Sequence, residues 1–229
     1  RYTRFWCSEI LKKGGGKMHV YAVNNNKRDW IVRVLAIMDV SVFFVLGYFS
    51  VNEKMLGLLG IDSNNSMYVF LESAITALIP ISFFGIANYL YDQYIWRWPL
   101  LKKWHGLPNL NGAWEGYVKS PLKKTETGEE IKINISVRIE QTWNRIKIST
   151  RSNSKANSES AMIEITEQGD IYLRYAFTTK REGQLPYQGY NRLHFGEREY
   201  TLQGEYFTAK NIDGEPGKGS KGIFYIKRI

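Results

Sequence analysis

Residues 131–139 read IKINISVRI, and this alternation of apolar and polar side chains decides the fold of the second half of the chain. A period of two indicates a strand with one buried face. Similar runs recur at short intervals with no helical pattern between them, and they predict strands at residues 112–119, 132–141, 145–151, 161–167, 171–179, 189–195, 200–209 and 222–227. About eight antiparallel strands favour a small lipocalin-like barrel, because closure removes the exposed edges of an open sheet. A β-sandwich is the alternative.

The parity of the apolar residues predicts a barrel interior that is aliphatic at one end and polar at the other. Buried hydroxyl and amide groups need partners, so the polar groups either bond one another in a sealed core or await a ligand. Inward-facing glycines at positions 116 and 204 leave space and favour a ligand pocket. The residues predicted to contact a ligand are Thr150, Ser152, Tyr175, Asn191, Tyr206 and Thr208.

A tryptophan lies between two glycines at the start of the first predicted strand, in the segment GAWEGY of residues 112–117. We expect the indole of Trp114 to fill the aliphatic end of the barrel, with Gly112 and Gly116 making room for it. The sequence therefore predicts a structural role for Trp114.

Two apolar blocks precede the strands, at residues 31–51 and 67–91. Each exceeds the roughly 20 residues that a helix needs to cross a bilayer. Lys54 is the only basic residue between the blocks, whereas several Lys and Arg flank the pair, so the positive-inside rule predicts that both chain ends face the cytoplasm. The predicted organisation is an N-terminal extension at 1–29, a two-helix transmembrane hairpin with its connector at 30–103, and a cytoplasmic barrel at 104–229.

Ionisable and small residues within the two blocks predict helix association. Asp39 and Glu72 lie inside apolar sequence, where an ionisable group is costly unless it is neutralised, paired or facing water. Asp39 could instead be protonated and bonded to a neighbouring helix, and Glu72 could extend towards the headgroups. Ser73, Ala77 and Gly85 follow a four-residue spacing that lets another backbone approach closely.

Several features restrict the class of protein. The chain has one cysteine, Cys7, so no intrachain disulfide is possible, and the segment KGGGKM of residues 13–18 suggests Met18 as the biological start. No glycine-rich phosphate loop, His-Glu-x-x-His motif or cysteine pair is present, which argues against an enzyme or a metal site. Residues 104–229 contain 19 Lys and Arg against 15 Asp and Glu, a mild excess that does not indicate binding of polymeric nucleic acid.

The order of the motifs resembles that of a known family. The segments GAWEGY, IEQTWNRIKIST, the serine-rich stretch after residue 150, IYLRYAF, LQGEYFTAK and GIFYI follow two apolar blocks, over residues 27–229. This pattern is similar to the membrane effectors of bacterial CBASS antiphage defence, in the SMODS-associating two-transmembrane, β-strand-rich class.

The resemblance implies a barrel that binds a cyclic dinucleotide made by a partner nucleotidyltransferase, with no further cofactor. It also implies that binding promotes a homo-oligomer that disrupts the bacterial inner membrane. The family often has an arginine where this chain has Lys210, which offers phosphate a point charge in place of the bidentate guanidinium. The alternatives are a membrane-anchored carrier of a small apolar ligand and a scaffold with a filled barrel.

Overall fold

The computed structural model describes residues 17–24, 27–48, 51–58, 60, 66–124, 130–180, 186–209 and 219–229. The chain divides into two compact units, one formed by residues 1–24 with 106–229 and the other by residues 25–105. The first unit is a closed β-barrel, and the second is helical.

The barrel has nine strands among the described residues, in the spatial order β1-β4-β3-β2-β9-β8-β7-β6-β5. All eight predicted strands are present, and from β2 onwards each strand pairs antiparallel with the next, β9 closing on β2. The predicted barrel is therefore confirmed. The strands are β1 (His19–Val23), β2 (Gly112–Lys124), β3 (Glu130–Gln141), β4 (Arg145–Arg151), β5 (Lys155–Ile165), β6 (Ile171–Lys180), β7 (Tyr187–Gly196), β8 (Thr201–Thr208) and β9 (Ser220–Arg228).

The ninth strand, β1, was not predicted, and the count of eight was therefore wrong. It lies between β4 and β5, antiparallel to the first and parallel to the second, where His19 is opposite Ile146 and Tyr21 is opposite Ala161. The hydroxyl oxygen of Ser158 accepts the backbone N–H of Ile148 at 2.9 Å and lies 2.8 Å from Nε2 of His19. One serine thus links three strands.

The serine-rich segment after residue 150 also differs from the prediction. A turn was expected as far as residue 160, but β5 begins at Lys155 and carries a bulge between Ser158 and Ser160. Serine hydroxyls bonded to neighbouring strands allow a polar sequence to continue the sheet, a contact that alternation of apolar residues does not reveal.

Trp114 closes the aliphatic end of the barrel, as predicted. Its side chain is fully buried, and Nε1 donates a hydrogen bond to the carbonyl oxygen of Leu110 at 3.0 Å. Gly112 has a φ of +139°, a conformation that L side chains rarely adopt. The side chain of Gln141 accepts the N–H of Leu110 at 2.8 Å and donates to the hydroxyl of Tyr21 at 3.1 Å, so this end of the barrel pairs its buried polar groups.

The helical unit contains α1 (Lys27–Tyr48), α2 (Val51–Leu58), α3 (Ser66–Gln93) and α4 (Pro99–His105), with a short 3-10 helix at Ile95–Arg97. Helix α2 occupies the first half of the segment between the two apolar blocks. Helices α1 and α3 contact each other. Among the described residues, one helical stretch, Met67–Arg97, is long and apolar enough to cross a membrane, so the second span stays a prediction.

Candidate functional site

Two buried side chains at the polar end of the barrel carry polar atoms without hydrogen-bond partners. Tyr175 on β6 and Asn191 on β7 are opposite each other in the sheet and are 3% and 2% exposed. Among the described residues, neither the Tyr175 hydroxyl nor Oδ1 of Asn191 has a hydrogen bond of acceptable geometry. Buried polar groups are normally satisfied, so this pair requires an explanation.

An ordinary tyrosine is already neutral at physiological pH, and burial extends the neutral form of Tyr175 to higher pH. Loss of solvent raises the pKa of the Tyr175 hydroxyl well above its usual value, and the nearby Asn191 and Thr150 side chains lower that pKa only in part. The hydroxyl is therefore neutral at physiological pH and keeps its proton for donation.

Four of the six predicted interior residues form one neighbourhood. Tyr206 on β8 is opposite Asn191, Asn191 is opposite Tyr175, and Thr150 on β4 reaches the Tyr175 hydroxyl. Thr208 lies two residues beyond Tyr206, at the end of β8, and its hydroxyl is 2.5 Å from the hydroxyl of Ser220. The structure thus brings together a patch of hydroxyl and amide groups inside the barrel wall.

One predicted residue lies elsewhere, and others were missed. Ser152 belongs to the turn between β4 and β5, where its hydroxyl is 3.4 Å from the backbone N–H of Ser154. Thr179, which is 2% exposed on β6, shares the inward parity of Tyr175 but was not predicted. The alternate positions of β6 after Tyr175 are Phe177 and Thr179, so the same parity would have identified it. Lys210 lies outside the described residues.

Aromatic rings lie over glycines near this patch. A Cβ added at Gly222 would lie 2.5 Å from Cε1 of Tyr206, and one added at Gly189 would strike Cζ of Phe177. The ring centroids of Tyr175 and Phe177 are 6.2 Å apart. Several flat surfaces therefore adjoin the unpaired polar atoms.

The two glycines predicted to make space have a different role. A Cβ at Gly116 would strike the carbonyl oxygen of Tyr225, and one at Gly204 would strike that of Arg192. Both glycines allow neighbouring backbones to approach closely instead of opening the interior. The prediction that they leave room for a ligand was wrong.

Two basic residues on the outer face of the barrel have acidic partners. Arg174 forms an ion pair with Glu164, and Nζ of Lys147 is 3.5 Å from Glu140. Lys147 is only 9% exposed, so its stem is covered instead of solvated. None of these contacts directs a cation towards the Tyr175–Asn191 pair.

A concavity lies near the same end of the barrel. It is an open groove of about 380 Å³, and its lining includes Tyr190, Phe207 and the carboxylate-bearing Glu159. Oε1 of Glu159 accepts a hydrogen bond from the Thr178 hydroxyl at 2.6 Å. A carboxylate repels phosphate, so this groove is a poor site for the phosphates of an anionic ligand.

Histidines and acidic residues form no metal centre in the described part of the chain, where no group of three potential ligands is present. His194 is 3.4 Å from Asp170, and Nε2 of His105 is 2.8 Å from the carbonyl oxygen of Trp96. Each histidine therefore has its own local partner, as His19 has Ser158.

The predicted membrane residues lie on α1 and α3. Asp39 is partly buried, and its Oδ1 has no hydrogen-bond partner among the described residues. Ser73, Ala77 and Gly85 are exposed on α3, and a Cβ at Gly85 would meet nothing within 4 Å. Glu72 is half-buried on the same helix. The small-residue face of α3 is thus not used against α1.

Comparison with known proteins supports the resemblance drawn from the motifs. Residues 105–217 match the family model described as Cap15, cyclic dinucleotide receptor domain. A relative, CD-NTase-associated protein 15 of Yersinia aleksiciae, is 26% identical over 146 residues, which cover 61% of this chain and 64% of the relative. The match thus spans less than two thirds of that relative's length. No solved structure is a significant match.

Proposed function

Because the barrel of this chain belongs to the Cap15 cyclic dinucleotide receptor family, we propose that the protein is a CBASS effector whose barrel binds a cyclic dinucleotide. The observation that carries this proposal is the unpaired Tyr175 hydroxyl beside the unpaired amide oxygen of Asn191. Two buried polar atoms that lack partners within the described protein fit a polar ligand that supplies them. The partner nucleotidyltransferase is the proposed source of that ligand.

The composition of the polar end agrees with a dinucleotide better than with a fatty acid. A lipid chain would leave the hydroxyl and amide groups unsatisfied, and each such buried group costs about 1–3 kcal/mol. A cyclic dinucleotide offers flat bases for the rings of Phe177 and Tyr206, together with many polar atoms. The binding experiment below therefore includes a lipid, so that it would also detect a carrier of apolar ligands.

The order of the strands supports two membrane crossings. β1 precedes the helical unit and β2 follows it, yet both strands belong to one barrel. If the apolar stretch Met67–Arg97 crosses a bilayer, the chain must cross a second time to bring both strands to the same side. Helix α1 has 22 residues, about 33 Å at 1.5 Å per residue, which suffices for a span.

Assembly within the bacterial inner membrane is the proposed output. A small-residue face on α3 permits close helix packing, and the unpaired carboxylate oxygen of Asp39 requires a donor. Contacts between copies of the chain would supply both. Ligand binding in the barrel would favour the homo-oligomer, and the assembled helices would disrupt the membrane.

Binding is tested by calorimetric titration of the full chain in detergent micelles. The full chain is needed because a fragment starting at residue 104 would lack β1. The probes are cyclic di-AMP, cyclic di-GMP, cyclic GMP–AMP and cyclic UMP–AMP, with palmitate as the lipid control. Saturable binding of one dinucleotide at micromolar concentration or below is expected. Binding of palmitate alone would overturn the receptor and support the carrier.

Assembly is tested in cells that also make the cognate nucleotide. We expect Asp39→Asn and Ala77→Leu to reduce killing at least tenfold at equal expression, because they remove the carboxyl group of residue 39 and block the small-residue face. Asp29→Asn, at the exposed first turn of α1, is the matched control and should kill normally. Full killing by both test variants would exclude this role for the two helices.

A further inference from the structure

The two unpaired atoms inside the barrel have opposite hydrogen-bonding roles. The Tyr175 side chain offers a proton, because the buried hydroxyl is neutral, whereas Oδ1 of Asn191 can only accept. The two residues are opposite each other on neighbouring strands. The barrel thus presents one donor and one acceptor close together, more than nine-tenths buried.

A phosphate group satisfies only half of this pair. At neutral pH a phosphodiester has acceptor oxygens and no proton, so it could receive the Tyr175 hydroxyl but would leave Oδ1 of Asn191 facing an anion. The positive charge of Arg174 does not correct this mismatch, because Arg174 forms an ion pair with Glu164. A phosphate is therefore a poor occupant of this position.

The edge of a nucleobase satisfies both atoms. Adenine and cytosine carry an amino donor beside a ring-nitrogen acceptor, and guanine and uracil carry an imino donor beside a carbonyl acceptor. A base entering here would also meet the rings of Phe177 and Tyr206, which lie over Gly189 and Gly222. Stacking on aromatic rings and pairing of one edge are the usual means by which proteins hold an unpaired base.

We propose that Tyr175 and Asn191 read the edge of one nucleobase inside the barrel, while the phosphates of the ligand lie elsewhere. This inference rests on the proposed function, because it assigns part of a bound cyclic dinucleotide to these residues. Tyr175 and Asn191 are thereby base-contacting residues of the ligand site.

The test uses Tyr175→Phe and Asn191→Leu in the full chain, titrated with the tightest-binding dinucleotide of the panel. Each change should weaken binding about tenfold. Tyr172→Phe and Asn134→Leu are the matched controls: Tyr172 points outwards beneath the guanidinium of Arg192, 5.0 Å from the ring centroid, and Asn134 is exposed. Both controls should bind as the wild type does.

A second ligand separates a base contact from a phosphate contact. Analogues are made in which one base at a time is replaced by an unsubstituted ring, which loses its exocyclic group but leaves both phosphates in place. One analogue should bind the wild type about tenfold more weakly than the natural ligand, and Asn191→Leu should abolish that difference. Both variants should retain the wild-type dependence of affinity on salt concentration.

Ligand-free stability provides an independent readout. Tyr175→Phe removes a buried hydroxyl that lacks a partner, so the Tm of the ligand-free protein should rise while affinity falls. A hydroxyl with a structural hydrogen bond would produce the opposite shift in Tm.

Three results would overturn the inference. The first is unchanged affinity in both variants. The second is an equal loss of affinity for the natural ligand and for every analogue. The third is a weaker dependence of affinity on salt in the variants, which would indicate a lost phosphate contact. Absence of binding of every dinucleotide to the wild-type chain is a different result, because it overturns the proposed function itself.

Discussion

The two ends of the barrel are made from the same strands but treat buried polar groups differently. At the closed end, the indole of Trp114 donates to a carbonyl oxygen, and Gln141 bridges the N–H of Leu110 and the hydroxyl of Tyr21. At the opposite end, the Tyr175 hydroxyl and the Asn191 amide oxygen have no such partners among the described residues. The closed end is complete within the protein, and we propose that a ligand completes the other end.

This contrast predicts that stability depends mainly on one end of the barrel and ligand binding on the other. Substitutions at the closed end should lower the free energy of unfolding and leave intrinsic affinity for ligand unchanged in the molecules that remain folded. Substitutions at the polar end should do the reverse, because unsatisfied groups oppose folding and favour binding.

Removal of the Trp114 side chain should have the largest effect. Trp114→Ala leaves a large cavity in the closed end, and we expect a loss of about 3–5 kcal/mol in the free energy of unfolding. Chemical denaturation followed by circular dichroism measures it. Tyr190→Ala, on the outer face at 39% exposure, is the control and should cost much less. A small loss at Trp114 would mean that the closed end is not the stabilising part.

Replacement of Gln141 should have an intermediate effect. Gln141→Leu keeps the apolar volume but leaves the N–H of Leu110 without its acceptor, at a cost of about 1–3 kcal/mol. Denaturation midpoints should fall, while titration of the folded protein with ligand should give the wild-type dissociation constant. A changed dissociation constant would show that the two ends are coupled.

The pH dependence of stability should show the smallest effect. The ordinary pKa of tyrosine is 10.0, and burial raises the pKa of Tyr175 above it in the folded state. Above pH 10 the unfolded chain therefore releases a proton that the folded chain retains, so stability falls by about 1.4 kcal/mol per pH unit. Denaturation from pH 9 to 11 should show a shallower decline in Tyr175→Phe than in wild type. Equal slopes would place the hydroxyl in solvent.

The sequence was sufficient to predict the strands and their buried faces where the alternation of apolar residues was regular. The strand at 145–151 was predicted with the bounds that the structure has, and the parity argument identified both Tyr175 and Asn191. Alternation reports which face is buried, so it found the residues that point inwards.

Alternation of apolar residues does not reveal contacts made by polar side chains or contacts between distant segments. β5 extends through serines because the Ser158 hydroxyl bonds to β4, and β1 is five residues long and joins strands more than 100 residues away. Ser152 follows the inward parity of β4 but lies beyond the end of the strand, in a turn. Parity loses its meaning where pairing ends.

The position of β1 has a consequence for the order of events during biosynthesis. His19–Val23 leaves the ribosome before any other strand, yet its partners on β4 and β5 are residues 145–146 and 161–163. Both helical blocks must be translated before β1 has anything to pair with, so synthesis of the helical unit precedes closure of the barrel. A chain in which β1 has not yet paired would present unpaired backbone groups on β4 and β5, the feature of a sheet most prone to aggregation.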